Sequence, residues 1–127
     1  MDYSQLSDFE INVAVFEAIH NGSPDYKEGE NGDMVFVSFE GDIVNGDAVE
    51  VEVERGSFNP CVNPADAWPI ITENNISIMF DSTDTRYEGE YHEWCDAISS
   101  CQKFGIQYQS NPLRAAMIVF LMMQRIQ

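Results

Sequence analysis

Cations are scarce in this chain. Its 127 residues hold six lysines and arginines against 22 aspartates and glutamates, a formal net charge of −16. Acids are missing in their turn from Ala97 to Gln127, a stretch that keeps Lys103, Arg114 and Arg125. So few cations argue against direct binding to nucleic acid, which works by displacing counterions condensed on phosphate. Long apolar runs are also absent: the longest, Ala115 to Met123, is less than half of the ~20 residues a membrane helix needs. No membrane association is expected. The opening MDYSQLSDFE has neither a basic n-region nor an apolar h-region, so the cytoplasm is the expected compartment. The three cysteines (Cys61, Cys95, Cys101) include no Cys-x-x-Cys pair and have only His20 and His92 beside them. That excludes a patterned disulfide framework and leaves little for a zinc site, so free thiols are expected.

Catalytic signatures are equally thin. No Gly-x-Ser-x-Gly elbow occurs, Asp81 and Asp84 lack the rhythm of a calcium loop, and the glycines stand apart among acids that would repel phosphate. His92, between Glu90 and Glu93, reads as a surface histidine, and His20 as the charge-favoured end of a helix. No catalytic residue, metal or cofactor is expected.

What is present suffices for a core. Hydrophobic residues make up 44% of the chain, enough for one domain over residues 1–127. Ser7-Asp8-Phe9-Glu10 is a capping box, with Leu6 and Ile11 placed for a hydrophobic staple. Ile11, Ala14, Val15, Ala18 and Ile19 then repeat at helical spacing, and Asn21-Gly22 supplies the stop. A helix over residues 8–20 is predicted. Residues 22–33 read as a polar loop.

A β region follows. Met34 to Phe39 has strand length, Asn45-Gly46 is hairpin-turn chemistry, and Val49 to Glu54 alternates strictly. The alternation puts three valines on one face of that strand and Glu50, Glu52 and Glu54 on the other. Three aligned carboxylates repel, so their face must be wet or meet cations.

Asn63-Pro64 reads as an N-cap and first turn, with Pro69 keeping the helix short, kinked or partly 3₁₀. Ile76 to Phe80 reads as a strand, Asp81 to Thr85 as a turn, and residues 91–98 as a further strand within a mixed stretch from Tyr87 to Tyr108. Asn111-Pro112 opens a last helix in which only Arg114 is polar between Leu113 and Met123. Such a helix is buried on most sides, and carboxylates are absent there because burying them is costly. A homodimer that shares this helix is an open alternative. The fold class expected is α+β, an antiparallel sheet of three to five strands packed on the N- and C-terminal helices.

NPADAWPII (Asn63 to Ile71) together with NPLRAAMIVFLMMQ (Asn111 to Gln124) resembles the NinX-like family of small proteins from lambdoid phages and prophages. DYSQLSDFEIN (Asp2 to Asn12) and Asn59-Pro60-Cys61 resemble that family as well. Ser23 to Ser57 and Asp81 to Ser110 carry no recognisable family pattern, which leaves the acidic hairpin as a candidate elaboration. The resemblance implies a phage accessory protein acting in the bacterial host cytoplasm, and it brings no catalytic motif with it.

Two binding readings result. In the first, Glu50, Glu52 and Glu54 meet a basic host protein, with imitation of nucleic acid as one form of that contact. In the second, Asn59, Asn63, Asp66 and Trp68 on a proline-stiffened loop bind a small, nucleotide-type ligand, with Trp94, Tyr87 and Tyr91 as a further aromatic wall. Against that stands a structural role for the same loop: Asn63 and Asp66 satisfying backbone amides and Trp68 sealing the core. An anionic ligand would need Arg55, Arg86 or Arg114 aimed into the pocket.

Overall fold

A computed structural model describes residues 2–84, 86 and 88–124. The first helix, α1 (Asp8–His20), begins as the capping box dictates. Ser7 Oγ accepts from the Glu10 N–H at 3.1 Å, and Glu10 Oε1 accepts from the Ser7 N–H at 3.0 Å. Asn21 ends the helix in the left-handed conformation, which asparagine tolerates. The loop predicted over 22–33 contains a three-residue strand, β1 (Tyr26–Glu28), and a 3₁₀ turn at Glu30–Gly32. No local pattern announces β1; pairing with its neighbour creates it.

Two long strands follow, β2 (Met34–Val44) and β3 (Asp47–Phe58), joined at Asn45-Gly46 with φ of 54° and 86°. Both values suit the tight turn that matches strand twist. Helix α2 (Pro64–Glu73) comes next, then β4 (Ser77–Ser82), β5 (Glu93–Ile98), β6 (Gly105–Gln109) and α3 (Pro112–Gln124). The strands form two antiparallel sheets, ordered β1-β2-β3 and β4-β5-β6, and the fold class is α+β as predicted. The two sheets hold six strands in all, close to the three to five expected but divided between two sheets; the short β6 takes its place by pairing with β5. Pro69 sits inside α2 without ending it. Burial of Ala67, Ile70 and Ile71 against the core offsets the hydrogen bond that proline removes. Thr85 and Tyr87 lie outside the described residues.

Helix α3 is the pillar. Every side chain from Ala115 to Leu121 is buried, against Ile11 and Val15 of α1, the buried face of α2, Ile76, and Ala97 of β5. Within one chain its apolar surface is already covered. The single charge at its start, Arg114, is tied down: Nη1 donates to Asp8 Oδ1 at 2.7 Å, and Nη2 to the carbonyls of Leu6 (2.7 Å) and Ser4 (3.1 Å). That clamp fastens the N-terminal turn to the last helix.

Only the root of the β2–β3 hairpin belongs to the core. Met34, Val35 and Val37 are buried, and Phe36 and Phe58 meet Phe16 of α1 at ring-centroid distances of 5.0 and 5.5 Å. From Glu40 to Glu52 every residue is exposed, so the hairpin leaves the body as a two-stranded ribbon.

Candidate functional site

The ribbon's cross-strand register decides its chemistry. Val53, Val51 and Val49 stand opposite Ser38, Glu40 and Asp42, while Glu54, Glu52 and Glu50 stand opposite Val37, Phe39 and Gly41. Directly opposite residues share a face. Neither face is therefore apolar, and the valine face expected from β3 alone is interleaved with carboxylates. This is why the valines are not covered: burying them would bury Glu40 and Asp42 too.

The expected glutamate ladder is present and partly neutralised. Lys27 Nζ on β1 reaches Glu52 Oε2 at 2.9 Å and Glu54 Oε1 at 3.1 Å. Its ammonium is held above its usual range first by the hydrogen bond to Glu52 and then by that to Glu54. On the opposite face Arg55 pairs with Glu40 and donates Nε to Ser38 Oγ at 2.8 Å. Asp42, Asp47 and Glu50 have no ion pair among the described residues. They surround the tip, where Ile43 is 74% exposed and Val44 and Val49 are also in water. The sequence reading missed Ile43, Val44 and the Lys27 clamp.

The second set of predicted residues separates into two groups. Asn59, 3% exposed, belongs to a buried amide network. Its Nδ2 donates to Asp33 Oδ1 (2.7 Å) and to the Asn31 carbonyl (2.9 Å), its Oδ1 accepts from Asn12 Nδ2 (2.7 Å), and its N–H donates to Asp66 Oδ2 (2.8 Å). Asn12 also donates to the Gly32 carbonyl and accepts from the Cys61 N–H. Asn63 caps α2 by accepting from the Ala65 N–H at 3.0 Å, and Asn111 does the same for α3 while donating to the Cys61 carbonyl at 2.8 Å. Asn59, Asn63 and Asp66 thus have the backbone-satisfying role, and every buried side-chain polar atom described has a partner.

Trp68 stands apart from the amide network. It does not seal the core; it is 62% exposed on α2. With Ile71, Ile78, Phe80 and Leu113 it lines an open apolar groove of about 960 Å³ between α2, β4 and the start of α3. Trp94 lies elsewhere, 5.6 Å from the Tyr108 ring, beside a smaller depression that includes Tyr91. Phe80 is the residue common to both. Tyr87 lies outside the described residues. Among the described residues no arginine lines either depression, and each of the three named for that purpose is engaged with a carboxylate: Arg55 with Glu40, Arg86 with Asp84, Arg114 with Asp8.

Reactive groups are dispersed. Burial, then the Asp8 charge, pushes the Cys61 thiol up to about 12, with Arg114 opposing. Burial also raises Cys95. Exposed Cys101 is shifted down by its contact with the Ser99 hydroxyl at 3.2 Å and by backbone donation from Lys103. The His92 imidazole lies 3.7 Å from the Glu90 carboxylate, and His20 lies against the Phe16 ring. Among the described residues no cluster of His, Cys, Asp and Glu could hold a metal ion, and no helix is long and apolar enough to cross a membrane.

Fold and surface together define a small acidic α+β protein with a protruding β-ribbon and a separate apolar groove. The family model described as Bacteriophage P22, NinX matches residues 2–124, and the chain belongs to that family. The acidic hairpin lies inside the matched region. No curated protein and no solved structure matches the chain.

Proposed function

We propose that this phage protein acts by binding rather than catalysis in the cytoplasm of its bacterial host, using the β2–β3 ribbon to engage a basic surface of a host protein. One observation carries this reading: a ribbon that leaves the core with both faces in water, carrying apolar residues beside unpaired acids. An isolated two-stranded hairpin is marginal in water, and large exposed aliphatics are commonest where a partner covers them. Phe39, Ile43, Val44, Val49 and Val51 supply that apolar centre. Asp42, Asp47 and Glu50 supply an acidic rim, and a partner's cations can replace Lys27 on Glu52 and Glu54. Steering by this charge speeds encounter and weakens with salt.

The nucleotide-type alternative has less to stand on, because no described residue lining the Trp68 groove is cationic and Asn59, Asn63 and Asp66 are committed to internal hydrogen bonds. Reversal of the ribbon's charge tests the leading reading. Glu50, Glu52 and Glu54→Lys should abolish capture of a basic host protein without lowering the thermal midpoint by more than a few degrees, since these positions are exposed. Undiminished capture by the triple variant contradicts it.

A further inference from the structure

β4 is an edge strand of its sheet, and its outward groups can be identified. The Thr83 N–H donates to the His92 carbonyl at 2.9 Å, continuing the register in which Ser82 faces Glu93. Hydrogen-bonded and non-bonded pairs alternate along an antiparallel ladder. Asp81, Met79 and Ser77 therefore turn their backbone groups toward β5, while Ile78, Phe80 and Ser82 turn theirs away from the sheet. The Ser82 N–H agrees with that phase, being taken up by the Asp81 carboxylate at 2.8 Å.

This edge is lightly protected, by Asp81 alone and only at its Ser82 end. It contains no proline or lysine, and its register against β5 is unbroken. The other edges differ: β1 has three residues with Lys27 at its centre, β3 carries Glu50, Glu52 and Glu54, and the β5–β6 register is interrupted. Apolar side chains flank β4 on both faces, with Phe80 76% exposed on the groove side and Met79 exposed on the other. No described residue lining the groove is charged.

We infer that β4 docks a second copy of this chain, edge to edge and antiparallel about a two-fold axis, with Trp68 and Phe80 closing the groove. A strand pairing antiparallel with itself is self-complementary, as a two-fold contact requires. Chains of −16 oppose each other over most of their surface, and the groove face, whose described lining carries no charge, is where two can approach with least opposition. Centring the pair on Met79 sets Asp81 opposite Ser77 of the other copy, away from a second Asp81, and lets Ile78 and Phe80 exchange backbone hydrogen bonds. Two aromatics able to bury on the order of 150 Å² each, with Met79 and the strand edge, bring this contact near the lower range of specific interfaces. The surface is separate from the ribbon and does not rest on its function.

Sedimentation equilibrium of the full chain across about 1–200 μM tests it, in about 0.1 M and about 1 M NaCl, where the screening length falls from ~10 to ~3 Å. A reversible dimer that tightens with salt is expected. Phe80→Glu, which sets like charges beside the axis, should weaken it on the order of 30-fold or more. Phe80→Pro removes an outward N–H without touching the β4–β5 ladder and should also leave a folded monomer. Glu50, Glu52 and Glu54→Lys should leave the dimer in place, which keeps this result apart from that of the ribbon. A monomer at every concentration and salt, or a dimer unchanged by Phe80→Glu, overturns the inference.

Discussion

Asn12 and Asn59 show how a few side chains can organise a fold from inside. Each is buried, they bond to each other, and together they hold the carbonyls of the Asn31–Gly32 turn and the Cys61 N–H. Replacing one partner of a buried polar pair leaves the other unsatisfied, at a cost of about 1–3 kcal/mol per group. Asn59→Leu is therefore expected to destabilise by about 2–4 kcal/mol in urea denaturation, with Asn12→Leu similar and the double variant less than additive. The thiols give a second test at this scale. Cys101, exposed and shifted down by Ser99, should be the one fast-reacting thiol of the native protein, and Cys101→Ser should remove that phase. Cys61, pushed up to about 12, should react only on unfolding. The caps at Ser7, Asn63 and Asn111 were legible in the sequence because capping is local chemistry. The partners of Asn59 were not, since Asn12, Asn31 and Asp33 reach it only through the folded chain.

Among the elements, α1 and α3 are readable in advance because local signals specify them before any packing: a capping box and helical periodicity for α1, an Asn-Pro cap and a continuous apolar run for α3. β1 and β6 are not, because each is short and owes its existence to pairing. The ribbon is an intermediate case. Strand β3 alone suggests a valine face for the core, but a two-residue turn at Asn45-Gly46 fixes Val44 opposite Asp47 and so Val49 opposite Asp42. The register, legible once the turn is taken literally, shows that no face can be buried. Hydrogen exchange should divide the chain accordingly. Amides from Glu40 to Glu52 are expected to exchange by local opening, orders of magnitude faster than those from Ala115 to Leu121, which should exchange only on global unfolding. Ile118→Ala, in the middle of α3, should cost about 2–4 kcal/mol.

For the whole molecule, the charge split has two physical origins. Carboxylates are missing from Pro112 to Gln124 because α3 is the buried pillar, and they accumulate on surfaces that stay wet. The two candidate surfaces respond to this charge in opposite ways. Salt should loosen the ribbon's contact with a cationic partner and tighten the pairing of one acidic copy with another. The proposed function turns on the ribbon, and affinity capture from bacterial lysate measures it most directly. The full chain and its Glu50, Glu52 and Glu54→Lys variant are compared as baits at about 0.05 M and about 0.5 M NaCl. A basic host protein retained by the unaltered chain at low salt, released at high salt and missed by the variant is the predicted result. Retention of the same proteins by both baits, or of none by either, would contradict it.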